Sequence, residues 1–401
     1  MKRDKMLDVC VVGIGEYVTG LSGDNVAASD KSLGVIALSL FDLKSRGFIN
    51  NIKLAGRNPQ RFELIKKHFQ SNMQGLYPFL DVSFESFPKE QKNDTAYKDA
   101  IDSLSKGSAV LIFTPDDTHF EIAKYALESG MHTLVAKPLV KTLKEHNELA
   151  RLAEQNNLLL MLEVHKRFDP IYADAKDNIQ NFGEFSYFNS YMSQPKSQLD
   201  TFASWAGISS DISYYLNSHH IDFLCWAVKD FAKPVSVMAT ASSGVANKKL
   251  KRDIEDTITL TVQWENSSGA LGTSIHTASW IAPPSDVHSQ QRFFYMGHNG
   301  EINIDQAHRG YTQSTDNSGF KSSNPLFMKY TPRDGRFAGQ ESYGYKSIST
   351  FIESSLTLQK DINKLQEYNK ILPTITNTHN VTAILEAGRK SLDTNSAIKL
   401  S

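Results

Sequence analysis

Strand-like and helix-like segments alternate through the first 165 residues, and this alternation restricts the possible folds more than any other feature of the chain. Leu7 to Gly13 is a short apolar run ending in glycine, Val35 to Lys44 has helical character and stops at Gly47, and Ile52 to Gly56 is strand-like again. Pro59 opens a helix through Phe62, Ile65 and Phe69; Val82 to Phe84 reads as a short strand and Thr95 to Leu104 as a helix. Ala109 to Phe113, Phe120 to Leu127 and Thr133 to Ala136 continue the series as strand, helix and strand, punctuated by Gly130 and Pro138. Thr142 heads a helix with Glu145 at the capping-box spacing, and Leu143, His146, Leu149, Ala150 and Ala153 share one of its faces. Leu158 to Val164 is the last strand of the series. Such alternation needs crossover connections and predicts a doubly wound parallel sheet.

After Pro170 the rhythm changes. A helix over Ile171 to Ile179 leads to strand-like runs at Phe185–Tyr191, Val235–Ala241, Ile258–Trp264, Ala270–His276, Arg292–Met296 and Glu301–Ile304. Polar turns such as Asn266-Ser-Ser-Gly269 separate several of them, which suits a mostly antiparallel sheet. Helices are expected at Ile212–Val228, Ser347–Leu356 and Val381–Leu392. The predicted class is α/β: an N-terminal doubly wound parallel sheet over 1–164, then an α+β domain with a large, mostly antiparallel open sheet over 165–401.

Composition excludes several functions. The 401 residues carry 43 Lys+Arg against 44 Asp+Glu, with no basic block, so no nucleic-acid partner is expected. The densest apolar run, Leu158 to Leu162, is far shorter than the ~20 residues that span a bilayer. The apolar run Leu7–Val12 leads straight into Gly13-Ile-Gly15 and reads as a first strand rather than a signal peptide. Two cysteines, Cys10 and Cys225, offer neither a disulfide framework nor a metal cluster. No metal and no membrane are expected, and the expected location is cytoplasmic.

Gly13-x-Gly15 follows the first strand, where one glycine permits a tight turn and the second a close approach of backbone to a pyrophosphate. The third glycine of G-x-G-x-x-G is missing: position 18 is Val18, and Gly20 comes two residues late. Glu16 to Ser32 reads as an insertion before the helix, either a flap over the phosphates or a plain surface loop. At the end of the second strand, where an acid would bind the ribose of NAD, the sequence has Gly56-Arg57-Asn58. A guanidinium there suits the 2′-phosphate of NADP, so NADP is expected ahead of NAD. Gly13, Gly15, Glu16, Arg57 and Asn58 are candidate cofactor contacts.

Taken with four further motifs, the chain resembles the glucose–fructose oxidoreductase, inositol dehydrogenase and rhizopine-catabolism (Gfo/Idh/MocA) family over nearly its whole length. Thr114-Pro115-Asp-Asp-Thr-His119 is similar to that family's T-P-x-x-x-H segment, and Gly130 to Pro138 to its G-x-x-V-x-x-E-K-P signature. His165-Lys-Arg-Phe-Asp-Pro170 is similar to N-x-R-F-x-P, and His219-His-Ile-Asp222 to H-x-x-D. Ala136 stands where glutamate is usual, Tyr215 where an aspartate is frequent, and His165 where Asn is usual. The resemblance implies a Rossmann-type dinucleotide domain, with Thr114, Pro115, His119 and Lys137 beside the cofactor.

It also implies a hydride-transferring oxidoreductase acting on a carbonyl or secondary alcohol of a sugar or sugar acid. Lys137, at the sheet's C-terminal edge, is the candidate for stabilising a developing alkoxide and exchanging its proton. His219 is the second candidate, ahead of its neighbour His220, and Tyr215 lies one helical turn before it as a proton relay or a packing group. Lys166, Arg167, Lys196 and His220 are candidate substrate contacts. Trp205, Trp280 and Arg292 are weaker candidates for a stacking wall and a further cation. A cationic pocket suits a uronate, and His165–Pro170, Ser193–Gln198 and Ser218–Asp222 also resemble a branch labelled D-galacturonate reductases. Two other readings stay open: a dinucleotide-binding regulator without catalysis, and an NAD-dependent glycosidase. Family members often pair their open sheets face to face, so a homodimer or homotetramer is expected.

Overall fold

The structure is a computed structural model that describes residues 6–27, 31–316 and 319–400. The first half is built from β1 (Leu7–Val12), α1 (Val35–Ser45), β2 (Ile49–Ala55), α2 (Arg61–His68), β3 (Glu85–Phe87), α3 (Ala96–Asp102), β4 (Ala109–Ile112), α4 (His119–Glu128), β5 (His132–Ala136), α5 (Leu143–Gln155) and β6 (Leu160–Glu163). All six strands are parallel, in the order β3-β2-β1-β4-β5-β6. Order reverses between β1 and β4, the switch point beside which ligands bind in such sheets. Thr142 accepts from the Glu145 backbone while Glu145 reaches back, so the capping box forms as expected.

Two apolar layers cover the sheet. On one side α1 is buried from Val35 to Leu43, and on the other α3, α4 and α5 pack over Val110, Ile112 and Val135. A helix apolar all round must be covered on both faces. The outer cover of α1 is a helix from the far end of the chain, Tyr343–Leu358, whose Tyr345, Ile348, Phe351 and Ile352 join the cluster of the parallel sheet. Tyr345 donates its hydroxyl to Asp42 (2.6 Å) and accepts from Arg46 (2.8 Å). Pro373 then accepts from the Leu162 amide at 2.8 Å, so residues near 373 line the β6 edge.

The second half contains α6 (Pro170–Ile179), β7 (Phe185–Pro195), α7 (Ser218–Val228), β8 (Ala232–Ser243), β9 (Glu255–Asn266), β10 (Leu271–Ala282), β11 (Gln290–Gly297), β12 (Glu301–Asp305), α8 (Tyr343–Leu358), α9 (His379–Thr394) and β13 (Ile398–Lys399). Its sheet runs β12-β11-β7-β10-β9-β8-β13 and is antiparallel except where β7 pairs with β10. Phe188, His276, Ala278, Phe293 and Tyr295 fill the helix-covered face. Among the described residues no helix is long and apolar enough to cross a membrane.

Two expectations shift and a third takes definite form. The strand expected at Val82–Phe84 forms instead at Glu85–Phe87, because Val82 and Phe84 pack into the apolar cluster and ladder pairing with Lys53–Ala55 begins at Glu85. The helix expected from Ile212 opens with a wide π-type turn, Ser213–Asn217, before α7. Glu16–Ser32 is a real excursion: a single turn, Glu16–Thr19, then a two-residue-strand hairpin, Leu21–Ser22 with Asn25–Val26. Part of it, residues 28–30, lies outside the described residues.

Candidate active site

The glycine turn is fixed by close packing. Gly13 has φ +109°, and a Cβ there would lie 2.1 Å from the Phe113 carbonyl oxygen, so only glycine fits between β1 and β4. Gly15 precedes the turn Glu16–Thr19, and a Cβ on it would meet nothing within 4 Å. The first glycine thus makes the turn and the second faces open space, which fits a dinucleotide phosphate. At the end of β2, Arg57 is well exposed and reaches Asp94 only at 3.9 Å, while Asn58 accepts from the Gln60 amide. Arg61 lies nearby, donating to the Gly23 carbonyl of the excursion at 2.6 Å.

His119 is a fastener. Fully buried, its ring bridges the Thr114 carbonyl (2.9 Å) and the Pro138 carbonyl (2.8 Å), tying the loop after β4 to the loop after β5. Thr114 and Pro115 are drawn in by Thr118, whose hydroxyl contacts the Thr114 hydroxyl and the Pro115 carbonyl, both at 2.7 Å. Lys137 opens the loop after β5, at the C-terminal edge of the sheet.

Lys137 meets the second half of the chain there. Its ammonium bonds the backbone carbonyl of Tyr215 and lies 3.9 Å from that ring's centroid. The face of the Tyr215 ring, rather than its hydroxyl, meets the ammonium. Burial pulls the Lys137 pKa down to about 8, against the pull of Asp116 and Glu163 and helped by Lys31. Next to this contact, Lys141 donates to the Ser209 carbonyl (2.8 Å) and Tyr214 to the Lys141 carbonyl (3.0 Å), which fixes the two halves together.

His219 is buried, and its Nδ1 has no hydrogen-bond partner. Burial, followed by the charges of Lys137, His165, Lys166 and His220, holds its pKa well below the ordinary imidazole value. Its ring lies 5.3 Å from that of His165, which stacks in turn on Tyr343 at 5.6 Å. An imidazole kept neutral, with an unmade hydrogen bond inside the protein, is suited to a ligand hydroxyl.

The remaining substrate candidates divide. His220 turns into the core, stacked on Tyr172 and paired with its hydroxyl at 2.9 Å. Lys166 is also buried, its ammonium held by Gln291 (2.6 Å) and Gln306, and burial pulls its pKa down to about 7. Arg167 is a strut rather than a free cation: its guanidinium grips both oxygens of Asp222 (2.9 and 2.7 Å) and donates to Asn377. The Asp222 of His219-x-x-Asp222 is thereby committed to structure. Lys196 is exposed on the turn after β7. Trp205 joins Phe202, Tyr215 and Trp280 in an aromatic cluster beside Lys137, with ring centroids 4.9–6.2 Å apart. Arg292 lies on the outer face of the sheet over Tyr191.

Three residues of the site went unpredicted. Asp116 begins the turn after β4 and faces Lys137 and the Ser210 hydroxyl; burial raises its pKa against the pull of His119, Ser210, Lys137 and Lys141. Its place inside Thr114-Pro-Asp-Asp-Thr-His119, one residue beyond Pro115, was the available signal. Glu163 ends β6 and Tyr343 opens α8; only the sheet register and the return of the chain bring them here.

Comparisons with known proteins identify the two halves of the chain. The model of an oxidoreductase family with an NAD-binding Rossmann fold matches residues 52–164, and the GFO/IDH/MocA C-terminal domain matches residues 173–303. An uncharacterized oxidoreductase of Escherichia coli K12, YdgJ, is 32% identical over 187 residues, covering 46% of this chain and 50% of that protein. The Bacillus subtilis scyllo-inositol 2-dehydrogenase (NADP(+)) IolU is 27% identical over 208 residues, 50% of this chain and 58% of that one. The chain therefore spans about half the length of the curated relatives it matches. The crystal structure of Lactobacillus casei scyllo-inositol dehydrogenase with NAD(H) and scyllo-inositol superposes with a TM-score of 0.65 at 16% identity, over 98% of this chain and 99% of that one, showing a shared fold. With matches to both domain models in the right order, this chain belongs to the Gfo/Idh/MocA family of oxidoreductases.

Proposed function

We propose that the protein is an NADP(H)-preferring oxidoreductase that interconverts a secondary alcohol and a carbonyl on a sugar, sugar acid or related polyol, with D-galacturonate as one candidate substrate. The observation that carries this reading is the meeting of Lys137, from the edge of the parallel sheet, with Tyr215, beside a buried His219 whose Nδ1 has no hydrogen-bond partner. Gly13, Gly15, Arg57, Asn58, Thr114 and Pro115 are the residues that would hold the dinucleotide, and Arg57, exposed and weakly paired, would take its 2′-phosphate. When bound, the nicotinamide supplies the hydride acceptor or donor.

The protein's own part is proton and charge management. The Lys137 ammonium, with a pKa near the working pH, stabilises negative charge on the reacting oxygen and exchanges its proton. Neutral His219 orients the same hydroxyl through Nδ1. Lys196, on the exposed turn, remains a proposed substrate contact; Lys166 and His220, engaged by Gln291, Gln306 and Tyr172, would support the site from the core instead of touching substrate.

Steady-state assays with NADPH and NADP+, NADH and NAD+, and a panel of uronates, aldoses and inosoles test the reading. Turnover that falls at least ~100-fold in Lys137→Met supports it; full activity in that variant overturns it. Arg57→Ala is expected to abolish the preference for NADPH, and an unchanged ratio removes the cofactor assignment.

We also propose a homo-oligomer formed through the outer sheet face. Tyr187, Tyr191, Ile275, Phe294 and Met296 lie there in register, none of them fully buried. Light scattering that returns only a 44.9 kDa monomer refutes it. The proposed compartment is a reducing cytoplasm, consistent with two free, buried cysteines.

A further inference from the structure

Strands β5 and β6 run parallel, and their last residues, Ala136 and Glu163, are register partners. Ala136 precedes Lys137, so the carboxyl-bearing Glu163 begins one inter-strand step, about 4.8 Å, to the side of that position. Glu163 is 4% exposed. Its Oε1 accepts from the Ser347 hydroxyl of α8 at 2.9 Å and lies 3.6 Å from His165 Nδ1, which has no hydrogen-bond partner. A carboxylate this buried, with a neutral hydroxyl as donor, needs a nearby positive charge.

Lys137, next in sequence to Glu163's register partner Ala136, is the cation placed to supply that charge. The charged and titratable groups facing it are Asp116 from the turn after β4, Glu163 from β6, Lys31 from the excursion and His219 from α7. His165 adjoins both Glu163 and His219.

We propose that Glu163 is a positioning residue of the active site: the neighbouring strand delivers the carboxylate that position 136 lacks, and it holds Lys137 and His165 in place without touching substrate. The proposal rests on Lys137 acting at the reacting oxygen, and it is more specific than that reading. It explains why alanine is tolerated before Lys137-Pro138, since carboxyl groups at both strand ends would crowd two negative charges into one buried site. It also gives α8 a part in the site, because the Ser347 hydroxyl donates to the carboxylate.

The test compares wild type, Glu163→Gln and the double variant Ala136→Glu/Glu163→Gln. One readout needs no turnover: 13C-methyl NMR after reductive methylation, with the Lys137 signal assigned by its loss in Lys137→Met, follows the titration of that amine. In Glu163→Gln the Lys137 midpoint should fall by about half a pH unit or more, because a stabilising negative charge is lost. The double variant should return it towards wild type. The second readout is kinetic: in Glu163→Gln kcat should fall about tenfold with KM for substrate changed less than about twofold, and the pH profile should move with the NMR midpoint. An unmoved midpoint, or a kcat loss that the relocated carboxylate does not relieve, overturns the proposal. If Glu163→Gln does not fold, Glu163→Asp, which keeps the charge but withdraws it by one methylene, should give a smaller shift in the same direction; wild-type values for both midpoint and kcat overturn it. Wild-type protein inactive on every sugar and polyol would count against the oxidoreductase reading alone, since the titration still decides whether Glu163 acts on Lys137.

Discussion

At the residue scale, motif position and tertiary contact give different kinds of information. Lys137 was legible because it matches the lysine of the family's E-K-P signature and, following a strand of a doubly wound sheet, lies at the sheet's C-terminal edge. Arg167 was legible as conspicuous but not as a strut: its partner Asp222 is 55 residues away, and both are buried. Removing one member of such a pair leaves the other charge uncompensated. Arg167→Met should therefore lower unfolding free energy by ~3–5 kcal/mol in urea titrations, with the dinucleotide Kd of the folded protein unchanged. A stability loss below about 1 kcal/mol, or a selective loss of ligand binding, would return Arg167 to the ligand contacts.

At the element scale, the excursion after β1 shows how two glycines define an insertion. Gly20 (φ +81°) and Gly34 (φ +74°) pinch its base: a Cβ on Gly34 would lie 2.4 Å from the Val18 carbonyl oxygen, and one on Gly20 2.3 Å from that of Ser32. Gly23, at the hairpin tip, has φ +59° and nothing within 4 Å. Gly34→Ala should therefore cost about 2 kcal/mol or more, from strain plus backbone clash, whereas Gly23→Ala should cost only ~1 kcal/mol. Equal losses in thermal or denaturant unfolding would contradict the pinch. The insertion was visible in sequence as an overlong polar stretch, but its closed base was not, because left-handed backbone and close approach are tertiary facts.

Helix α8 makes the same point. Its amphipathic pattern was readable, but its destination was not. Phe351, fully buried, lies within the cluster of the parallel sheet. Phe351→Ala should destabilise the protein by ~3–5 kcal/mol. It should also loosen α1 in hydrogen exchange, although the two helices lie some 300 residues apart in sequence. Protection of α1 unchanged in that variant would show that α8 is not its cover.

At the scale of the whole molecule, buried histidines set the acid limit of stability. Burial pulls the pKa of His132 and His146 down to about 4 and that of His276 to about 3. Unfolding restores the ordinary value of 6.5, so below that pH the unfolded chain takes up protons that the folded chain refuses. Their contribution is fully present above pH ~6.5 and is lost as pH falls through the folded-state values, at ~1.4 kcal/mol for each pH unit that separates the folded from the unfolded pKa. Asp42 and Asp211, raised by burial, act in the opposite sense as pH rises above the ordinary carboxyl range. The urea midpoint should therefore drop between pH 7.5 and 5.0, and His146→Gln should flatten that drop; an equal slope in both proteins refutes the assignment to His146.

The sequence by itself determined the strand–helix alternation, the parallel sheet that follows from it, the glycine turn, and the place of Lys137 at a strand end. These rest on local periodicity and backbone stereochemistry, which a linear pattern carries in full. The tertiary structure decided which charges are paired, which imidazole faces Lys137, and that Glu163 and Tyr343 belong to the same site. Those outcomes depend on strand register and on the chain's return across α1, and each brings together groups that are distant along the chain.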